Sequence, residues 1–212
     1  MAARLISWSQ SLDHKTLTEQ VAYAARVSNP DHQASNETAE RLVRYLIAHK
    51  HWSPLEMVSL CLEIETTRDI ARQFLRHRSF SFQEFSQRYA RVHGDMIARD
   101  ARLQDTKNRQ NSIDTADATL RHEWNIRQWE VMSTAQRAYE WALDHGIAKE
   151  QARVVLPEGN TPSRLYVNGT LRSWIHYIQL RSAHGTQREH QEVARACAEA
   201  IADVFPMIRE FI

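Results

Sequence analysis

Met57-Val-Ser-Leu-Cys-Leu-Glu-Ile-Glu-Thr66 alternates apolar and polar side chains. Val58, Leu60, Leu62 and Ile64 fall on one side, Ser59, Cys61, Glu63 and Glu65 on the other. A period of two marks a β-strand with one buried face. The period changes on both sides of it. Upstream, Leu42, Val43, Leu46 and Ile47 recur at helical spacing, Asn36 stands where an N-cap belongs, and His51-Trp-Ser-Pro54 breaks the run. Downstream, Ile70, Ala71, Phe74 and Leu75 form the apolar stripe of a helix predicted from Thr67 or Arg68 through Arg78.

Further out, Arg4 to Trp8 reads as a short strand, and Thr16 to Ser28 as a helix with Leu17, Val21, Ala24 and Ala25 inward. Residues 79–95 read as a loop with a short extended piece, and residues 96–112 as a charged surface excursion. Leu120, Trp124, Val131, Ala135, Ala138 and Ala142 mark a long helix ending at Gly146. A short helix from Ala148 to Leu156 stops at Pro157. A strand at Leu165 to Val167 and a helix from Thr170 to about Ala183 follow. The last helix turns Val193, Cys197, Ala200, Ile201, Val204, Ile208 and Ile212 inward, with Pro206 kinking it or splitting off a final turn. The order predicts an α+β fold: a single domain over residues 1–212, with several long helices packed on a small, mainly antiparallel sheet.

Composition narrows the function. The chain has 212 residues, 27 Lys+Arg against 26 Asp+Glu and a net charge of +1, which argues against a general nucleic-acid coat and an acidic tail. Cys61 and Cys197 are the two cysteines, too few for a disulfide framework and wrongly spaced for zinc. They are expected as reduced, buried thiols of a cytoplasmic protein without a metal. The first ten residues lack the apolar core of a secretory signal, and no run approaches the roughly 18 apolar residues of a membrane span.

The densest chemistry lies between His51 and Arg91. Arg68, Arg72 and Arg76 are four apart and line one face of the predicted helix, either as a solvated basic stripe or as an anion site. Arg76-His77-Arg78 closes that helix, where cations suit the macrodipole. Glu84, Ser86 and Arg88 are two apart and share one side of an extended segment. They form either an exposed strand face with an internal ion pair or a nucleotide contact, with Ser and Arg on phosphate and Glu on a sugar or ring N–H.

Arg76-His-Arg78, seven residues and then Ser86 resemble the RHR-x7-S signature of the flavin-dependent thymidylate synthases. His51-Trp-Ser-Pro-Leu-Glu56, Ala71-Arg-Gln-Phe-Leu-Arg-His-Arg78 and Glu84-Phe-Ser-Gln-Arg-Tyr89 are similar to that family, as are Ala152-Arg-Val-Val-Leu-Pro157 and Leu171-Arg-Ser-Trp-Ile-His176 with Leu180-Arg181. The likeness covers almost the whole chain, least clearly residues 96–145. It implies reductive methylation of dUMP to dTMP. Methylenetetrahydrofolate would give the carbon and NADPH the hydride through bound FAD, without a cysteine nucleophile, in a homotetramer whose sites are shared between subunits. Neither cysteine lies in a motif block.

The same resemblance implies site residues. Gln73, Arg76, Glu84, Ser86, Gln87, Arg88, Arg153 and Arg181 would bind dUMP, and Arg181 would be catalytic, a fixed cation beside the pyrimidine. Ser53, Arg76, His77, Arg78, Glu84, Thr170, Arg172 and His176 would contact FAD. Arg172 and Arg181 are nine apart, on opposite helix faces, so one helix would serve two sites. Without the resemblance, His176 reads as a core histidine, and Trp52, Phe80, Phe82 and Tyr89 read either as stacking partners for flavin, folate or uracil or, for most of them, as core aromatics.

Three positions depart from the family pattern, and at one of them Gln87 stands where a small residue is often seen, though its backbone could serve equally well. Thr170 stands where Asn is usual, and Gly185, preceded by His184, stands where His is common, which makes Gly185-Thr-Gln-Arg-Glu-His190 a variant third block. That variation motivates an alternative, a related uridylate hydroxymethylase. An alternative of another class is a nucleic-acid-binding module using the Arg68 to Arg91 arginines, against which stand the balanced charge and the lack of a recognised motif.

Overall fold

The structure, a computed structural model, describes residues 1–212. In chain order it has β1 (Ala2–Trp8), α1 (Leu17–Ala25), α2 (Ala39–Ala48), β2 (Ser59–Thr67), α3 (Arg68–Phe74), β3 (Phe80–Glu84), β4 (Arg102–Gln104), β5 (Ser112–Asp114), α4 (Ala118–Asp144), α5 (Lys149–Ala152), β6 (Pro162–Thr170), α6 (Leu171–Ser182) and α7 (Arg188–Ala202). Short 3-10 turns sit at Ser53–Glu56, Arg153–Val155 and Pro206–Phe211. The main sheet runs β1-β2-β6-β3, every neighbour antiparallel, and β4 and β5 form a separate hairpin. The fold is thus α+β as expected.

The alternation read at residues 57–66 is what builds the sheet. Leu60, Leu62 and Ile64 are fully buried and meet Gly169, Val167 and Leu165 of β6 across the ladder. The opposite face is polar: Glu63 accepts from Arg4 at 3.0 Å and from the Tyr166 hydroxyl at 2.7 Å, and Glu65 pairs with Arg164 at 2.6 Å. The buried face is covered by α6 and α7, with Trp174, Ile178, Val193, Cys197 and Ile201 sealed in one core. The Trp174 indole donates to the Leu60 carbonyl at 3.1 Å, and the Leu171 amide donates to the Val58 carbonyl at 3.0 Å, pinning α6 on β2. A buried indole N–H without such a partner would be costly.

Phe80 packs across the sheet onto Gly169, where a Cβ would lie 2.3 Å from its ring. Gly169→Ala is therefore expected to destabilise the protein by about 1–3 kcal/mol, since a buried ring must shift. A urea titration checks it, and an unchanged midpoint would refute the contact.

Several boundaries differ from the sequence reading. The second helix starts at Ala39 behind Thr38, and Asn36 offers only its backbone carbonyl, to the Ala39 amide. The third helix ends at Phe74, so Arg76, His77 and Arg78 lie beyond it in a turn and not in its last turn. The strand at Leu165 to Val167 extends to nine residues. Pro206 splits off a separate 3-10 segment. The largest correction concerns α4. It buries Gln128, Met132, Ala135, Tyr139 and Ala142, while Leu120, Trp124 and Val131 are exposed. The reason is polar: Gln128 exchanges two 2.8 Å hydrogen bonds with the Arg99 backbone, and the Tyr139 hydroxyl accepts from the Val92 amide at 3.0 Å. Those bonds turn the helix away from its most apolar stripe. Ala24, likewise, is half-buried, and Ala22 takes the inward place in α1.

Candidate active site

Helix α6 carries one end of the site at its first turn and the other at its last. At the first turn, the Thr170 hydroxyl caps the helix, accepting from the Ser173 amide at 3.3 Å. It also shares a 3.1 Å bond with the Ser173 hydroxyl, which donates to the Ser79 carbonyl at 3.2 Å. Arg172 is paired with Glu56, on the 3-10 turn that also carries exposed Ser53. His176 meets the Trp52 ring edge-on at 4.3 Å. Burial, helped by the Arg172 charge, lowers its pKa, so the imidazole is neutral at neutral pH.

At the last turn, roughly 13 Å along the axis by helical rise, Arg181 Nε donates to His77 Nε2 at 2.9 Å. Burial, then Arg181 and Arg76, push the His77 pKa down to about 4. His77 is therefore neutral and can accept that bond, and its position fixes the guanidinium. The Arg181 Nη groups make no hydrogen bond within the chain, leaving them for a ligand. Arg76 and Arg78 are exposed and form no ion pair. The 68–72–76 stripe dissolves in three dimensions. Arg68 is buried and donates to Glu84 at 3.3 Å, Arg72 meets Glu158 at 3.6 Å, and only Arg76 stays free.

Glu84, Ser86 and Arg88 do not share one extended side. The strand ends at Glu84, and residues 86–90 form a turn in which Ser86 accepts from the Tyr89 and Ala90 amides. Glu84 Oε1 faces inward, accepting from Arg68 and, at 3.0 Å, from the Ser163 hydroxyl. Arg88 points to Glu150 at 3.4 Å. Arg153 donates to the backbone carbonyl of Glu150, three residues before it, also at 3.4 Å. Ser86 is exposed. Gln87 is buried, and its side-chain nitrogen lacks a partner.

Of the four aromatics, Phe80 joins the core and Trp52 and Phe82 pack at its margin, while Tyr89 is 87% exposed. Cys197 is sealed in the core and burial pushes its thiol far up; Cys61 is half-buried and also raised by burial. Neither is a thiolate at neutral pH.

Arg102 escaped the sequence reading, and Gln187, Glu189 and His190 stood in the variant third block without a role of their own. Gln73 donates to Gln187 at 2.8 Å and lies 3.2 Å from His190 Nδ1. The spacing of Gln187 and His190, three apart at a helix start, was the available signal. Their meeting with Gln73 spans over a hundred residues and has no local pattern.

The profile of the family described as thymidylate synthase complementing protein matches residues 11–207. A protein of Paramecium bursaria Chlorella virus 1 described as a probable flavin-dependent thymidylate synthase is 50% identical over 210 residues, 98% of this chain and 97% of the relative. The flavin-dependent thymidylate synthase of Synechocystis is 48% identical over 188 residues, covering 89% and 86%. Among solved structures, the UMP/dUMP methylase PolB of Streptomyces cacaoi bound with 5-Br dUMP superposes with a TM-score of 0.83 at 30% identity, covering 99% of this chain and 93% of that one. The same methylase has been solved with 5-Br UMP, and there the TM-score is 0.81. With the signature placed around a neutral His77 and an anchored Arg181, and with relatives matched along nearly their whole length, the chain belongs to the flavin-dependent thymidylate synthase family of enzymes.

Proposed function

We propose that this chain, acting as one domain over residues 1–212, converts dUMP to dTMP by reductive methylation. Methylenetetrahydrofolate supplies the carbon and NADPH the reducing equivalents through bound FAD, and no cysteine acts as nucleophile. The observation that carries the reading is the Arg181–His77 contact at 2.9 Å, which fixes a guanidinium while leaving its Nη groups for a ligand. Attack by pyrimidine C5 on a methylene carbon needs electron density pushed from the ring, and a fixed cation beside the ring stabilises the charge that develops. Preorganisation by His77 spares Arg181 from reorienting during the reaction. The raised Cys61 and Cys197 thiols support a mechanism without a thiolate.

Arg76, Arg88 and Arg153, with Ser86 and Gln73, supply the donors for the nucleotide phosphate. The Glu150 carboxylate beside Arg88 occupies a place suited to an anion and yields it to the dianion. Gln87 contributes the backbone of its turn and an unpartnered buried amide nitrogen. The residues present fit FAD as well. Arg78 and Arg172 offer cations for a pyrophosphate, neutral His176 and Ser53 offer hydrogen bonds, and Trp52 an apolar wall. Glu84, held through Oε1, keeps Oε2 for a hydroxyl or ring N–H. The Thr170 hydroxyl is taken by the helix cap, so we leave that side chain out of the flavin set. When bound, the flavin supplies the hydride-carrying ring.

A homotetramer sharing its sites fits two features. The two ends of α6 are too far apart for one small ligand, and α4 leaves Trp124, Trp129, Val131 and Trp141 exposed for a neighbour to cover. Against nucleic-acid binding stand the balanced net charge and the burial of Arg68 against Glu84, which removes it from any basic stripe.

Mass spectrometry of the nucleotide after incubating the FAD-loaded protein with dUMP, NADPH and methylenetetrahydrofolate tests the proposal. The expected product is heavier than dUMP by one methylene. Unchanged dUMP, or a hydroxymethylated nucleotide, would overturn it.

A further inference from the structure

A directed chain of hydrogen bonds runs from the β4–β5 hairpin to Gln73. Arg102 of β4 is paired with Glu189, and both side chains are about nine-tenths buried. Glu189 Oε2 accepts from Gln187 Nε2 at 3.0 Å. Gln187 Oε1 accepts from Gln73 Nε2 at 2.8 Å, and Gln73 Oε1 faces His190 Nδ1 at 3.2 Å. An ionised carboxylate accepts hydrogen bonds and cannot donate them. Gln187 must therefore turn its NH2 toward Glu189 and its oxygen toward Gln73. Gln73 must then turn its NH2 toward Gln187 and its oxygen toward His190, which donates from Nδ1. One buried charge fixes the orientation of two amides and the tautomer of a histidine.

The hairpin is built to hold this chain. Arg99, three residues before Arg102, donates to Thr67 and Asp69 at 2.8 and 2.7 Å, at the start of the helix that bears Gln73. On the other side, Asp114 of β5 pairs with Arg188 at 2.6 Å. The chain enters α7 through Gly185, whose φ of +90° suits glycine and strains other residues. Residues 96–114 thus tie together the two helices whose side chains meet at Gln73.

We propose that the β4–β5 hairpin is a positioning element for nucleotide binding, acting through Arg102, Glu189 and Gln187 to hold the Gln73 amide in one orientation. A primary amide has two N–H donors and two acceptor lone pairs. Gln73 uses one of each within the chain, leaving one N–H in a fixed direction for an acceptor oxygen of the nucleotide. An amide turned by 180° would set its carbonyl against that same oxygen. The inference rests on the reading of Gln73 as a dUMP ligand. Arg102, Glu189 and Gln187 are positioning residues and touch no substrate.

Titration calorimetry of dUMP into the FAD-loaded protein tests it, with Glu189→Gln, Gln73→Ala and the double variant compared. Glu189→Gln keeps the shape and removes the acceptor-only end. It is expected to weaken dUMP about five- to tenfold, the worth of one neutral hydrogen bond, and to raise KM by the same factor while kcat and FAD binding stay within twofold. In the Gln73→Ala background it should have no further effect on dUMP. If Glu189→Gln does not fold, Gln187→Met breaks the same chain with the ion pair intact and carries the same expectation. Weakened dUMP binding in Gln73→Ala with unchanged binding in Glu189→Gln or Gln187→Met overturns the positioning role and leaves the nucleotide reading standing. Additive losses in the double variant also overturn it. Unchanged binding in Gln73→Ala overturns the assignment of Gln73, and the inference with it.

Discussion

Arg181→Ala is expected to lower kcat by about a thousandfold, the scale of losing a preorganised electrostatic stabiliser, while the purified protein keeps its flavin absorbance. Arg181 sits at the last turn of α6, held through Nε on His77. Three of the groups proposed for the flavin, Arg172, His176 and Ser53, gather at the first two turns beside Trp52 and Glu56, while Arg78 and Glu84 lie outside α6. Cofactor retention and turnover are therefore expected to be partly separable along this helix. Arg181→Lys recovers little, because an ammonium cannot bond His77 and present two further donors in a plane. Steady-state kinetics with the visible spectrum of each preparation checks this. Turnover within tenfold of the unaltered protein would remove Arg181 from the chemistry, and loss of flavin would assign it a cofactor role.

Phe74→Ala is expected to cost about 3–5 kcal/mol of stability, the usual price of emptying a buried aromatic site. Phe74 is wholly buried and stands at the centre of a ring cluster, 4.2 Å from Tyr177 and 5.9 Å from Phe80 between ring centres. His77 and His190 lie against the same ring at 6.1 and 6.0 Å. The cavity would open directly behind the two histidines that support Arg181 and Gln73. For a chain of this size each kcal/mol lowers the midpoint by about 2–4 °C, so a drop of roughly ten degrees is expected. Calorimetry with activity at low temperature reads both effects. A drop under about two degrees would show that the cluster does not hold the core together.

Much of the site's chemistry was legible before its geometry. Arg76, His77, Arg78, Ser86, Arg153 and Arg181 stand in motif blocks that a linear reading finds. The partnerships among them were not legible. Spacing four apart placed Arg68, Arg72 and Arg76 on one exposed face, yet Arg68 is buried against Glu84. The strand order explains this. With β6 between β2 and β3, Glu84 lies next to Ser163 and over the start of α3, a neighbourhood assembled from three distant stretches. Likewise Glu150, which meets Arg88 from a distant stretch, carries no mark in its own segment.

The sequence by itself determined the buried strand at residues 57–66, most helix interiors, the α+β class and the residue types available for anion and flavin binding. Those features follow from periodicity and side-chain chemistry, which act over a few residues. Tertiary structure alone decided which face of α4 turns inward, which carboxylate neutralises each arginine, and that Arg102 reaches Glu189 across the hairpin. Apolar spacing favours the Trp124 face of α4, but Gln128 and Tyr139 must satisfy the Arg99 and Val92 backbone groups. Leaving such groups buried and unpaired costs more than leaving a few apolar side chains exposed, and only the packed chain sets those two terms against each other.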